Sequence, residues 1–419
     1  MGAKSAMRRG PTTSSLVTFL LVVAGAYVGY ALCWQTPPPP PALDYADRVA
    51  AYCSAPVDAG DEGGEGLVAA TVVVRHGARS AIHDPPGTGR ADVFDCSLPA
   101  RVAAVASRWP RAKRFRAATR GWHRCAEGQL VARGYDQHLR LGAFLRRAYG
   151  AADTAWTASA RSTDYARTRA SAASLLTAFL DDAAAADVSA RSDPATEPMF
   201  GVEGEDGRGL PCEAGAAAAR AQRAAWATPA ADAAAITAAL PTLPGDFRPT
   251  EVADAAYSRA CELARPLCVA GDECLAGDAA NRVFDAADRY YAARYGGDAG
   301  GALAARLGMH PLLEEIVAGF RRTLAAEDSD VLRVFVGHDT VVAPLLSALG
   351  AYDGVWPPLA SRVVFELYEG PAVRVLFNGR AVSVDGCPPA PRYCPLDAFE
   401  AAVAALLGGA PTFEAACAA

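Results

Sequence analysis

The sequence predicts a layered α/β protein with a mostly helical insertion, preceded by one N-terminal membrane-spanning helix. Three observations lead there. Two short apolar runs rich in β-branched residues, Leu67 to Val74 and Val331 to Val336, read as strands buried on both faces. Segments with helical apolar spacing alternate with strands, the pattern of an α/β core. Residues 15–34 carry no charge and would form a helix of about 30 Å, the thickness of a bilayer core.

At the N-terminus, Lys4, Arg8 and Arg9 precede the apolar segment and no acidic residue does. The positive-inside rule makes 1–14 a cytosolic tail and 15–34 the anchor of a single-pass type II protein of the secretory pathway. The alternative is a chain secreted after cleavage at Ala24-Gly25-Ala26. Pro37 to Pro41 favour an extended polyproline spacer, so 35–50 reads as a stem. An α/β core would then be built from two stretches of chain, 51–180 and 306–419, with a helical cap at 181–305 between them.

Eleven cysteines are present, one of them, Cys33, in the apolar segment. The other ten form an even set, which behind a secretory signal reads as disulfides. Cys387 and Cys394 flank a Pro-rich loop and could close a local bridge. No CxxC pair or Cys/His cluster with zinc spacing occurs, and no metal or cofactor is expected. Neither Asn281 nor Asn378 begins a glycosylation sequon. A formal charge of −6 without a basic stripe argues against a nucleic-acid partner.

Within the core, helices are expected over Gln129 to Tyr149, Thr168 to Leu180, His310 to Leu324 and Thr340 to Leu349. Strands Arg362 to Tyr368 and Ala372 to Phe377 flank Glu369-Gly370-Pro371 and read as a hairpin. Arg75-His76-Gly77-Ala78-Arg79 follows the first buried strand and Gly337-His338-Asp339 the second. If the strands are parallel neighbours, both histidines meet beyond their carboxyl ends, where open α/β sheets bind ligands.

That set of side chains suits phosphate. A neutral imidazole can attack phosphorus and carry the phosphoryl group. Arg75 and Arg79 can grip the equatorial oxygens with their planar forks. Gly77 would let backbone approach a ligand. Asp339 can protonate the departing alcohol, which points to a protonated carboxyl and an acidic optimum. The bland alternatives are a core histidine and an aspartate that merely caps the next helix.

VVVRHGARS and FVGHDTVVAPLLSALG resemble the two signature motifs of the histidine acid phosphatases, and ASARSTDYARTR, residues 158–169, resembles their RSTDxxRT segment. Residues 128–149, Pro358 to Tyr368 and Cys387 to Phe399 resemble further family segments, and the likeness, over about 50–419, is weak at roughly 181–300. The resemblance implies a three-layer phosphoglycerate-mutase-like core. It implies His76 as a phosphohistidine nucleophile, Asp339 as proton donor, and Arg75, Arg79, Arg161 and His338 as phosphate ligands. Ala81 stands where the family motif carries proline. The substrate implied is a phosphate monoester. The anchored architecture favours a phosphorylated glycan, a 2-phosphoxylose ester in the Golgi. Lysophosphatidate, phytate or broad specificity are the alternatives, as is a catalytically inactive binding protein on the same fold.

Overall fold

The computed structural model describes residues 44–57, 62–83, 85, 93–106, 125–150, 157–180, 188–190, 196–202, 208–243, 248–269, 274–296, 300–328 and 330–418. The expected cytosolic tail, the anchor and the stem as far as residue 43 lie outside the described residues. Among the described residues, no helix is long and apolar enough to cross a membrane.

In chain order the elements are α1 (Tyr45–Cys53), β1 (Leu67–Arg75), α2 (Ala100–Ala106), α3 (Ala132–Tyr149), β2 (Thr157–Ser162), α4 (Ala166–Phe179) and β3 (Val188–Ala190). After a 3-10 turn at Pro198–Phe200 come α5 (Glu213–Ala225), α6 (Ala230–Ala239), α7 (Pro249–Leu263), β4 (Leu267–Cys268), β5 (Cys274–Leu275) and α8 (Gly277–Tyr295). The chain continues with α9 (Gly301–Leu324), β6 (Asp330–Gly337), α10 (Asp339–Ala348), β7 (Arg362–Tyr368) and β8 (Ala372–Phe377). It closes with β9 (Arg380–Ala381), β10 (Cys394–Pro395), α11 (Leu396–Ala405) and α12 (Phe413–Ala418).

The central sheet runs β10-β8-β7-β1-β6-β2-β3, with β9 paired to β8. Strands β1, β6, β2 and β3 are mutually parallel, and β7, β8 and β10 form an antiparallel arm. β1 lies in the middle, and its side chains alternate between two cores. Val72 and Val74 pack with Leu141 and Leu145 of α3 and Leu175 and Leu176 of α4. Ala69 and Val73 pack with Leu312, Ile316 and Phe320 of α9 and Val341 and Leu345 of α10. Helices on both faces make three layers, and burial on both faces is why this strand reads as an unbroken apolar run. Each such Val or Leu contributes roughly 1.5–3 kcal/mol by burial.

The cap contributes α5 to α8 and a two-strand hairpin of β4 and β5. Its core includes Tyr257 and Phe284 and is continuous with Tyr52 of α1 and Trp356. Tyr52, Tyr257 and Phe284 stack in series at centroid distances of 3.8 Å.

The ten cysteines form five disulfides. Cys387–Cys394 is the local bridge expected from the loop. Cys53–Cys261 ties α1 to α7, and Cys212–Cys417 ties the start of α5 to α12. Cys96–Cys125 and Cys268–Cys274 close shorter segments.

Two boundaries differ from the sequence reading. The helix expected from His310 begins at Gly301, because Pro311 sits inside it and the preceding Ala304, Ala305, Leu307 and Met309 are buried. It therefore crosses the expected cap boundary at 305. β3, inside the expected cap, is an edge strand of the core sheet, paired through Ala160 and Val188. Three residues are too few to show a strand period.

Candidate active site

β1 and β6 pair in parallel with Arg75 opposite Gly337. His76 and His338 therefore leave the sheet side by side, and the His76 N–H donates to the Gly337 carbonyl at 3.0 Å. Their rings stand 5.5 Å apart at 70°. The loop after β1 is held down by α3. A Cβ on Gly77 would stand 2.5 Å from the Gly134 carbonyl oxygen, and one on Gly134 2.2 Å from that of Ala78. The expectation that Gly77 admits a ligand is thus corrected: it admits a helix. Gln137 on α3 accepts from the Ala78 N–H at 2.7 Å and donates to the Cys53 carbonyl at 2.6 Å.

His76 is completely buried. Its Nδ1 lies 2.8 Å from the Gly77 carbonyl oxygen. A carbonyl only accepts, so Nδ1 carries the hydrogen and Nε2 keeps the lone pair. Nε2 is buried without a hydrogen-bond partner among the described residues. Burial, then Arg167, Arg75, Arg79 and His338, hold the pKa of His76 well below the ordinary histidine value. The neutral ring is favoured, with the lone pair of Nε2 unpaired among the described residues.

His338 is oriented from behind. Arg167 Nη2 lies 3.3 Å from Nδ1. A guanidinium only donates, so Nδ1 accepts and Nε2 donates to Thr163 Oγ1 at 2.9 Å. Thr163 passes its hydrogen to Thr168 Oγ1 at 2.9 Å. Thr168 donates to the carbonyls of Thr163 and Tyr165. Burial and Arg167 hold His338 well below its usual pKa, against the opposing pull of Asp339.

Arg75 is wholly buried and donates to the Pro357 carbonyl and, at 3.0 Å, to the Tyr52 hydroxyl. It stands 3.6 Å from Asp339 Oδ2 and 5.2 and 5.7 Å from the ring centroids of Tyr52 and Trp356. Arg79 pairs with Asp254 of α7 at 2.7 Å and donates to the Ser80 carbonyl at 3.1 Å. Asp254 also accepts from the N–H groups of Ile82 at 2.8 Å and His83 at 3.4 Å. Ala81 is buried, and its carbonyl accepts from the Gly128 N–H at 3.1 Å. Hydrogen bonds therefore shape the loop where the family motif uses proline.

Arg161 differs from its expected place in the phosphate cluster. It is clamped by Glu197 at 3.0 Å and Glu315 at 2.5 Å, over the ring of Phe335 at 4.6 Å. Two carboxylates, from the 3-10 turn and from α9, take up its charge. Arg167, six residues on in the first turn of α4, is the residue that reaches His338.

Asp339 opens α10. Its Oδ2 accepts from the Tyr291 hydroxyl and the Trp356 indole N–H and faces Arg75. Among the described residues none donates to Oδ1. Burial pushes this carboxyl up, but Arg75, Tyr291, Trp356 and Arg79 outweigh it and hold it well below the usual carboxylate range. The four polar neighbours thus favour the charged form of Asp339, and the proton it is expected to donate has to be supplied to it during the reaction.

Arg75, Arg79 and Arg167 act on the His76 imidazole, with Asp339 beside Arg75 and Asp254 beside Arg79. The Nε atoms of Arg75 and Arg79 are buried without hydrogen-bond partners among the described residues. Such donors suit an acceptor-rich anion. Sequence reading missed Arg167, Asp254, Tyr291, Trp356 and Tyr52. For Arg167 a signal existed, since it lies within the same segment as Arg161. The others come from distant regions of the chain with no motif around them.

Known proteins similar to this chain point to one family. A family model described as the histidine phosphatase superfamily (branch 2) matches residues 67–203 and 236–378. Counting factor 60 of Dictyostelium discoideum is 35% identical over 120 residues, 27% of this chain and 27% of that protein. 2-Phosphoxylose phosphatase 1 of Mus musculus is 34% identical over 83 residues, 18% of this chain and 17% of that protein. The matched stretches thus span less than a third of those relatives' own lengths. The phytase of Hafnia alvei in complex with tartrate superposes with a TM-score of 0.55 over 82% of this chain and 98% of that one, at 16% identity, a likeness of fold. With well over half of its length under one family model, both strand-end histidines included, the chain belongs to branch 2 of the histidine phosphatase superfamily.

Proposed function

We propose that the chain is a phosphoric monoester hydrolase that works through a phosphohistidine on His76. The observation that carries this is the His76 ring itself. Its Nδ1–H is spent on the Gly77 carbonyl and its Nε2 is open beside the arginines. Nε2 attacks phosphorus as the ester P–O bond breaks. Positive charge developing on the ring is stabilised through Nδ1–H by the Gly77 carbonyl, and the equatorial oxygens are held by Arg75, Arg79 and Arg167. Because the neighbours of Asp339 favour its charged form, the source proposed for the leaving group's proton is the substrate. A monoester monoanion, abundant below its second pKa of about 6, gives its proton to the open Oδ1. Asp339 then delivers that proton to the departing alcohol. Water next attacks the phosphohistidine, Asp339 takes its proton, the P–N bond breaks, and the proton then leaves Asp339 on the phosphate as H2PO4−, which restores neutral His76 and the Asp339 anion. The acidic optimum thus follows from the substrate's protonation state.

For the substrate we favour a 2-phosphoxylose ester of a glycan. Support comes from the similarity to the mouse phosphoxylose phosphatase and from the apolar segment 15–34 that would place the enzyme in a secretory lumen, in the Golgi. Five disulfides suit that oxidising compartment. The test is phosphate release by the full chain, expressed in a secretory host and assayed at acidic pH. p-Nitrophenyl phosphate and a 2-phosphoxylose glycoside are compared, with His76→Ala alongside. His76-dependent release is expected, with preference for the xylose ester. Release that survives His76→Ala overturns the mechanism, and equal turnover of both esters overturns the substrate assignment.

A further inference from the structure

We propose that Asp254, a residue of the cap, is a positioning residue that sets the affinity of the active site for phosphate by fixing the Arg79 guanidinium. This rests on the phosphatase reading above and extends it to a region of the molecule outside the strand-end motifs.

Asp254 sits on the buried face of α7 between Ala253 and Ala255. Its two oxygens do different work. Oδ1 takes Nη2 of Arg79 at 2.7 Å, and Oδ2 takes the backbone N–H groups of Ile82 and His83. One carboxylate thus ties the side chain at position 79 to the backbone three and four residues further on. The loop after β1 is closed on a support that belongs to another element.

A guanidinium is a rigid plane of five donors. With Nη2 on Asp254 and Nη1 on the Ser80 carbonyl, the plane of Arg79 is set. Its Nε–H stays buried and unmatched among the described residues. That donor is available to an acceptor-rich ligand, as is the Nε–H of Arg75.

The support is itself anchored. Cys261, two turns along α7, is bonded to Cys53 of α1, and Arg133 of α3 donates to the Cys261 carbonyl at 2.8 Å. Tyr257 of α7 stacks on Tyr52, whose hydroxyl accepts from Arg75. The α1–α7 pair therefore braces both arginines of the first motif from the cap side.

The experiment is a double-mutant cycle on the full chain, with inorganic phosphate as competitive inhibitor of p-nitrophenyl phosphate hydrolysis. Asp254→Asn should raise both the inhibition constant of phosphate and KM by about 10-fold or more, as loss of an orienting partner commonly does, with a much smaller change in kcat. Asp254→Glu keeps the carboxylate and should recover some of the loss. In an Arg79→Gln background, Asp254→Asn should change phosphate affinity by less than about twofold. The same loss in both backgrounds overturns the proposal, because the damage then bypasses Arg79; so does unchanged phosphate affinity in Asp254→Asn. Should Asp254→Asn melt below the assay temperature, Asp254→Glu crossed with Arg79→Lys reads the same coupling. A wild-type chain that neither releases nor binds phosphate would remove the phosphatase reading itself, whereas an active wild type with no coupling removes this inference alone.

Discussion

Arg161 and Arg167 stand six positions apart in one segment, and their surroundings give them opposite tasks. Arg161 lies one residue before the end of β2 and is held between Glu197 and Glu315. Arg167 begins α4, lies 4.5 Å from the centre of the Tyr165 ring and reaches the imidazole of His338. Both are buried cations near the carboxyl ends of parallel strands. The difference lies in the counter-charge. Glu197 and Glu315 take up the charge of Arg161, which makes it structural, while Arg167 reaches the imidazole beside the nucleophile. Position in a motif brings an arginine to the neighbourhood, and the acids supplied by other elements decide what it does there.

The largest effect expected from this contrast is on stability. Arg161→Ala leaves the fully buried Glu197 carboxylate without its cation, and breaking a buried pair from one side costs about 3–5 kcal/mol. Chemical denaturation should show that loss, while kcat/KM per folded molecule stays near wild type. A stable Arg161→Ala protein with collapsed turnover would return Arg161 to the phosphate site and break the comparison. Arg167→Ala should do the reverse. Losing one preorganised donor to transition-state charge costs about 10²–10³ in rate, with little change in the denaturation midpoint. A smaller effect sharpens the picture between the two arginines. Thr163→Val removes the acceptor for His338 Nε2–H, which should cost about 1 kcal/mol, or fivefold in kcat/KM. No change there would mean that Arg167 alone orients the ring.

The regions of the fold that were legible in the sequence are those with a local signature. β1 and β6 are buried on both faces, so their residues read as apolar runs, and the two histidines follow directly. Hairpin β7–β8 kept the bounds its turn residues suggest. The misreadings concern contacts between distant segments. Glu197 and Glu315 lie 36 and 154 residues from Arg161, so nothing beside Arg161 announces its neutralisation. Tyr291 and Trp356 are ordinary aromatic residues in sequence, yet they share one oxygen of Asp339 and help keep that carboxyl ionised. Gly77 carried the right prediction of close approach with the wrong partner, because Gly134 belongs to a helix 57 positions on.

The pH profile gives the subtlest separation of the two arginines. Burial and three arginines, Arg167 first among them, depress the pKa of His76. The nucleophile is therefore neutral at all pH values above that depressed pKa, and the acid limb of kcat/KM should fall well below 6.5, the unperturbed histidine value. The alkaline limb should follow loss of the substrate monoanion near pH 6. The same shift bears on stability. A histidine whose folded pKa lies below its unfolded one contributes stability above about pH 6.5, and that contribution is lost as pH falls toward the folded value. His76 and His338 both act in this direction, so acid should lower the melting temperature of wild type. Arg167→Ala removes the leading charge on His76, so its acid limb should move upward. Arg161→Ala should leave the limb in place, since Glu197 and Glu315 already cancel the field of Arg161 at the ring. An acid limb that moves equally in both variants would mean that the carboxylate clamp does not screen Arg161, and the division of labour drawn between the two arginines would fail.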